Sequence, residues 1–229
     1  INFGNNTDIE LANATKQSEV HQNSERGLGN YYLSKGWDKL DTNWERCFAI
    51  IENANIVIDG IRNSDLLAEG TTTRKPMLRY LGEALTMRAM LYYDIVKNYG
   101  DVPMRFEPTQ PDGSNMYAAK TDRDIILDQL LDDLDEAANY LPWAGEDGYT
   151  TEHATAGFAH GLFARIALSR AGYSIREQAK AGYRNHPTCS DGQFPTQCPS
   201  VAEVQKLHER ALAHLDIVVS KQVHKLNPS

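Results

Sequence analysis

The sequence predicts an all-α fold: tetratricopeptide-like helical hairpins stacked as an α-α superhelix with long loops. Three observations predict it. Apolar residues recur at the i, i+3, i+4, i+7 spacing of one helical face in segment after segment. The stretches between are polar and hold the prolines and glycines that punctuate loops. No run alternates apolar and polar as a strand does, and no strand–helix alternation of the Rossmann type is present. Residues 42–61 with 76–99, and 122–141 with 152–171, have the proportions of helical hairpins. Their spacing is longer and looser than a ~34-residue tetratricopeptide repeat. Such hairpins bury the apolar face of each on the next.

Residues 1–36 are polar and rich in Asn, Gly and Ser, with little periodicity before Trp37. The first helix, 42–61, carries Trp44, Cys47, Phe48, Ile51, Ala54 and Ile58 on one side. Asn55 joins that stripe, either as a partner for a buried polar neighbour such as Arg88 or as a solvated rim amide. A polar loop, 63–75, leads to a helix over 76–99, with Pro76 suited to its first turn. Leu81, Ala84, Leu85, Tyr92, Ile95, Val96 and Tyr99 form its apolar face, and Arg88 falls on the same stripe. A guanidinium there is costly unless carboxylates or carbonyls of a neighbour receive its donors. Arg88 is therefore read as a buried structural clip between helices. Gly100 suits the left-handed closure of this helix, and Val102 before Pro103 must be extended.

Residues 101–120, with Pro103, Pro108, Pro111 and Gly113, form an extended connection. The third helix, 122–141, turns Ile126, Leu127, Leu130, Leu134, Ala137 and Leu141 inward, with Thr121 as its N-cap. Asp122 and Asp124 suit its positive end. Asp128, Asp132 and Asp135 lie at helical spacing on the outer face; without the glycine of an EF-type loop they read as a solvated acidic surface, not a calcium site. After the loop 142–151 comes a helix over 152–171, lined by Ala156, Ala159, Leu162, Phe163, Ile166 and Ala167, and the last helix covers 200–221. Between these two, Cys189 and Cys198 bracket the polar loop SDGQFPTQ. A disulfide there fits an exported protein and is the preferred expectation; free thiols fit a cytosolic one. His186 beside Cys189 does not make a convincing zinc spacing.

Four ordered segments carry a family resemblance. Glu83-Ala84, Arg88-Ala89, Tyr92-Tyr93 and Tyr99-Gly100-Asp101-Val102-Pro103 resemble the signature helix of the SusD/RagB family. Trp44, Phe48, Ile51 and Asn53-Ala54-Asn55 resemble the preceding helix, with Phe48 where the family usually has Tyr. Ile125, Asp133-Leu134, Ala137 and Leu141-Pro142 resemble the next, and Ala156, Ala159, Phe163-Ala164-Arg165 and Leu168 the one after. The resemblance runs over residues 40–225. It implies one SusD-like helical domain over 1–229, loop-rich to residue 40 and helical from 41 to 225, with a second half of the family's fold lying outside this chain. It further implies a nutrient-binding lipoprotein of the outer membrane of Bacteroidetes, exposed at the cell surface and tethered by an N-terminal lipid anchor that this chain does not include. The implied partner is a SusC-like TonB-dependent transporter, and the implied ligand is an oligosaccharide or polysaccharide.

Composition narrows the chemistry. A net charge of −8 over 229 residues argues against nucleic acid and against anionic lipid. There is no phosphate loop, no GxSxG elbow and no HExxH. Carboxylate pairs such as Glu52 with Asp59, or Asp133 with Glu136, are too common on helices to indicate a glycosidase. The reading is a non-enzymatic glycan binder with no cofactor and no metal; the alternative is a helical-repeat module for a protein or peptide. Sugar rings stack their C–H faces on exposed aromatics, with amides and carboxylates serving the hydroxyls. Loop aromatics are thus the candidates: Tyr31, Tyr32 and Trp37, followed by Trp143 and Tyr149. The resemblance implies a ligand surface drawn from loops of the first part and of the later half. It favours Tyr31, Tyr32 and Trp37, with Asn6 and Asp8 as nearby polar contacts.

Overall fold

The computed structural model describes residues 36–189 and 193–223. The chain divides into two compact units, residues 1–49 and 50–229. Five helices run through the described residues: α1 (Asp38–Arg62), α2 (Arg74–Tyr99), α3 (Arg123–Tyr140), α4 (Ala156–Ala171) and α5 (Val201–Lys221). The fold is all-α. In the second unit α2 packs on α3, α3 on α4, and α4 on α5, each helix lying against its predecessor in sequence. This is the nearest-neighbour stacking of a helical array. Among the described residues no helix is long and apolar enough to cross a membrane.

The buried residues follow the helical spacing. On α1, Cys47, Ile51, Ala54, Asn55 and Ile58 are buried. On α2 burial spreads wider than one stripe, over Leu81, Leu85, Ala89, Tyr92, Tyr93, Ile95 and Val96. Gly82 lets α3 approach closely, since a Cβ there would lie 2.9 Å from Leu141 Cγ. The helix closes on Gly100, whose φ of 78° excludes a side chain at low cost and whose N–H bonds Val96 O at 3.0 Å.

Helix starts differ from the sequence expectation: α1 begins at Asp38 rather than 42 and α2 at Arg74 rather than 76, and the caps of α3 and α4 differ too. Asp122, not Thr121, caps α3, accepting from Asp124 N at 2.8 Å. Thr121 is engaged elsewhere, in a two-residue strand. Helix α4 begins at Ala156 and not near 152, because the Thr155 hydroxyl caps it by accepting from Phe158 N at 3.3 Å.

Among the described residues, five short strands are absent from the sequence reading. β1 (Val102–Pro103) pairs antiparallel with β2 (Lys120–Thr121), closing the base of the 104–119 loop. β3 (Ser174–Ile175), β4 (Arg184–Asn185) and β5 (Thr196–Cys198) make an antiparallel sheet in the order β3-β5-β4. The disulfide expected between Cys189 and Cys198 is not formed; both thiols are free. Cys198 is buried in the central strand opposite Arg184, with the Tyr173 hydroxyl at its sulfur. Cys189 lies beyond β4 and is exposed, its N–H bonded to His186 Nδ1 at 3.0 Å. The register thus carries one thiol inside and leaves the other in solvent.

The sheet is held to the start of α3 by Asp124. Burial would raise this carboxyl, but donors from Arg176, Lys180 and Tyr183, with Arg170 nearby, together outweigh it and hold it at about 2. At the α4–α5 interface, His160 Nδ1 and His214 Nδ1 lie 2.9 Å apart, and the His214 ring stacks on Phe163 with centroids 3.6 Å apart. His214 Nε2 is 2.9 Å from Asp135 Oδ1. The outer aspartates of α3 are therefore not merely solvated: Asp128 pairs with Arg170, and Asp135 with Arg210 and His214.

Candidate functional site

Arg88 and the segment after α2 form one buried polar latch. Arg88 Nε donates to Asp133 Oδ2 at 2.9 Å, and Nη1 donates to Asn55 Oδ1 at 3.0 Å and to Phe106 O at 3.1 Å. Both Arg88 and Asp133 are 3% exposed, so each charge depends on the other. Burial raises the Asp133 carboxyl against the pull of the Arg88 guanidinium. Asn55 Nδ2 donates onward to Arg105 O at 3.0 Å. The Tyr92 hydroxyl accepts from Arg105 N at 2.6 Å and donates to Arg105 O at 2.9 Å, and burial pushes its ionisation far up. Glu52 Oε1 accepts from Thr109 N at 2.7 Å. The backbone of 104–109 has no regular ladder of its own, so side chains of α1 and α2 supply its partners. The extended stretch is thereby fixed on the helices.

A second construction lies along α2. Asp147 in the 141–155 loop pairs with Arg79 and, at 2.7 Å, with Lys75. Arg79 sits over the Tyr149 ring, 5.4 Å from its centroid. Tyr149 packs 4.8 Å from the His153 ring, whose Nδ1 is 3.1 Å from Glu83 Oε1. Burial first, then the Glu83 carboxylate to which its hydroxyl bonds, push Tyr149 to about 12. These contacts place the loop's end beside α2 and α4, where a pocket of about 190 Å³ opens. Glu83, Thr86, Met87 and Met90 of α2, Glu152, His153 and Ala154 of the loop, and Phe158 of α4 line it. Sequence reading missed it because its α2 residues, three and four apart, look like an ordinary helix flank.

Of the ligand contacts expected from sequence, Asn6, Asp8, Tyr31 and Tyr32 lie outside the described residues. Trp37 is half-buried just ahead of α1, with Lys39 Nζ 5.8 Å from its ring centroid. Trp143 is half-buried between His160 and Lys221, their contacts at 5.8 Å and 5.4 Å. Tyr149 is buried, so it is packing rather than platform. The carboxylates considered as pairs are occupied: Asp133 by Arg88, Glu136 by Arg62, Glu52 by Thr109, and Asp59 by Asn63. Among the described residues no three His, Cys, Asp or Glu side chains converge as metal ligands do.

Comparison with known proteins assigns the scaffold. The SusD-like family model described as "starch-binding associating with outer membrane" matches residues 3–168, well over half of the chain. The chain belongs to the SusD-like family. It is 28% identical over 121 residues to SusD-like protein P25 of Formosa agariphila, an alignment covering 50% of this chain and 22% of that one. A SusD homologue from Bacteroides thetaiotaomicron VPI-5482 superposes with a TM-score of 0.68 at 19% identity, over 89% of this chain and 34% of its own. A laminarin-binding SusD-like protein superposes with a TM-score of 0.51 at 21% identity, over 64% of this chain and 30% of its own. The SusD-like chain here thus spans about a fifth of the curated relative and about a third of the solved ones. At these identities the solved structures establish the helical scaffold shared with the family.

Proposed function

We propose that this SusD-like chain is part of a non-enzymatic, cell-surface protein that captures oligosaccharide and delivers it to a SusC-like TonB-dependent transporter in the outer membrane, where a lipid anchor holds it. The match of residues 3–168 to a family described as starch-binding and outer-membrane-associated carries this reading. Two further observations support it. A structural relative is named for binding laminarin, a glucan. The carboxylate pairs singled out in the sequence, Glu52 with Asp59 and Asp133 with Glu136, are bonded into the fold, which suits a rack and not a reaction centre. Asn6, Asp8, Tyr31, Tyr32 and Trp37 are the proposed first-contact residues, with aromatic rings stacking on sugar faces and weak subsites adding along a chain of sugars.

Affinity electrophoresis and calorimetry of the full-length protein against a polysaccharide panel test the reading. Retardation in at least one glycan gel, with no release of reducing sugar, is expected. Silence across the panel, or capture of a soluble protein without any transporter, would overturn it in favour of a protein-binding helical repeat.

A further inference from the structure

The pocket beside α2 has two kinds of wall. Met87, Met90, Ala154 and Phe158 are apolar, and Phe158 and Met87 remain 46% and 44% exposed. Glu83, Glu152 and His153 supply the polar part. Thr86 adds no free proton, since its hydroxyl donates to Gly82 O at 2.8 Å. Glu83 does not wander: the Tyr149 hydroxyl and His153 Nδ1 hold its carboxylate in place. The helix that carries Glu83, Met87 and Met90 is itself fixed by Arg88, the residue next to Met87. A polar group positioned before the ligand arrives loses little entropy on binding.

We infer that this pocket is a subsite for one pyranose ring of a neutral oligosaccharide. The inference rests on the glycan-binding reading and adds a place and a chemistry to it. A pyranose is amphipathic in the same sense as the pocket: its C–H face matches Phe158 and the methionines, and its edge hydroxyls match carboxylate acceptors and an imidazole. At about 190 Å³ the pocket lies below the ~300–1,000 Å³ of sites that enclose whole ligands, so it takes one ring and leaves the rest of the chain to other subsites. A cationic amine is the less suitable guest, because Glu83 already shares its charge with Tyr149 and His153, which leaves Glu152 as its acceptor and the apolar wall of Phe158, Met87 and Met90 unmatched.

Isothermal titration of the full-length protein with maltohexaose and laminarihexaose decides the matter, comparing wild type with Phe158→Ala and Glu83→Gln. Phe158 is half-exposed and Glu83→Gln keeps its shape, so unchanged melting curves accompany the comparison. For whichever hexasaccharide binds wild type, both variants are expected to weaken the Kd by about tenfold. If Phe158→Ala lowers the melting temperature, Glu83→Gln alone decides. Wild-type affinity in the variants overturns the subsite while leaving the proposed function standing. Binding of neither hexasaccharide by wild type overturns the subsite too, and the polysaccharide panel then shows whether the wider reading falls with it. A lysyl peptide whose binding the variants abolish, with glycan affinity untouched, overturns the assignment to sugar.

Discussion

Arg88 sends its donors to a carboxylate on α3, an amide on α1 and a carbonyl in the connection after α2. Removing it strands Asp133 at 3% exposure and leaves Phe106 O without that donor. Loss of one member of a buried pair costs about 3–5 kcal/mol, far more than the pair itself contributes. Arg88→Met should therefore lower stability by about 3–5 kcal/mol in urea melts, while Arg62→Ala, which breaks the half-exposed pair with Glu136, should cost under about 1 kcal/mol. Equal losses in the two variants would remove the latch from the account. Asp124 offers a pH test of the same logic. Its folded pKa of about 2 lies below the ordinary carboxylate value of 3.8, so its stabilisation is present above that value and fades as pH falls toward 2. Wild type should lose about 2 kcal/mol more than Asp124→Asn between pH 4 and pH 2, read as the difference in urea midpoints. Parallel curves would show that Asp124 has no special pairing.

At the scale of elements, two helix glycines separate propensity from packing. Gly161 in α4 has nothing within 4 Å of where a Cβ would stand, whereas Gly82 in α2 would place one 2.9 Å from Leu141 Cγ and 3.3 Å from Ala137 O. Alanine gains about 0.5–1 kcal/mol over glycine in a helix. Overpacking costs about 1–3 kcal/mol and outweighs that gain only at the α2–α3 contact. Gly161→Ala should raise the thermal midpoint and Gly82→Ala should lower it; a rise in both would mean that Leu141 yields freely. Such contacts also explain what the sequence could show. The helices were legible because residues such as Leu81, Leu85, Tyr92 and Val96 on α2, or Ile126, Leu130, Leu134 and Ala137 on α3, repeat at helical spacing and are all buried. The strands were not, since two or three residues carry no periodicity and their pairing depends on partners such as Gln197 opposite both Ser174 and Asn185. Asp124 looked like a first-turn acid because its partners Arg176, Lys180 and Tyr183 lie more than fifty positions away. For the same reason the pocket escaped notice: Glu83 and Phe158 meet only through the fold.

Across the whole molecule, stability in a stacked array comes from neighbouring pairs. Among the described residues α3 and α4 each pack on two helices and α5 packs on α4, with Leu212 and Val219 59% and 73% exposed. The contact that joins α5 to α4 contains His160 and His214, with Asp135 of α3 and Arg210 of α5 facing the pair. One proton arrangement satisfies it: His214 Nε2–H donates to Asp135, and His214 Nδ1 accepts from His160 Nδ1–H. A further proton on His214, which can go only to Nδ1, would set two N–H groups against each other at 2.9 Å. Burial, then the neighbouring His214, lowers His160 below its ordinary value; burial likewise lowers His214, against the pull of Asp135. A lowered histidine contributes stability that is present above the unfolded value near 6.5 and is lost as pH falls through that value toward the folded one. Amide hydrogen exchange, corrected for intrinsic rates, should therefore show the gap in opening between α5 and α3 widening as pH falls from about 7 toward about 5. His160→Gln together with His214→Gln should abolish the widening, since neither glutamine titrates. A gap that widens equally in the double variant would place the acid sensitivity in another group.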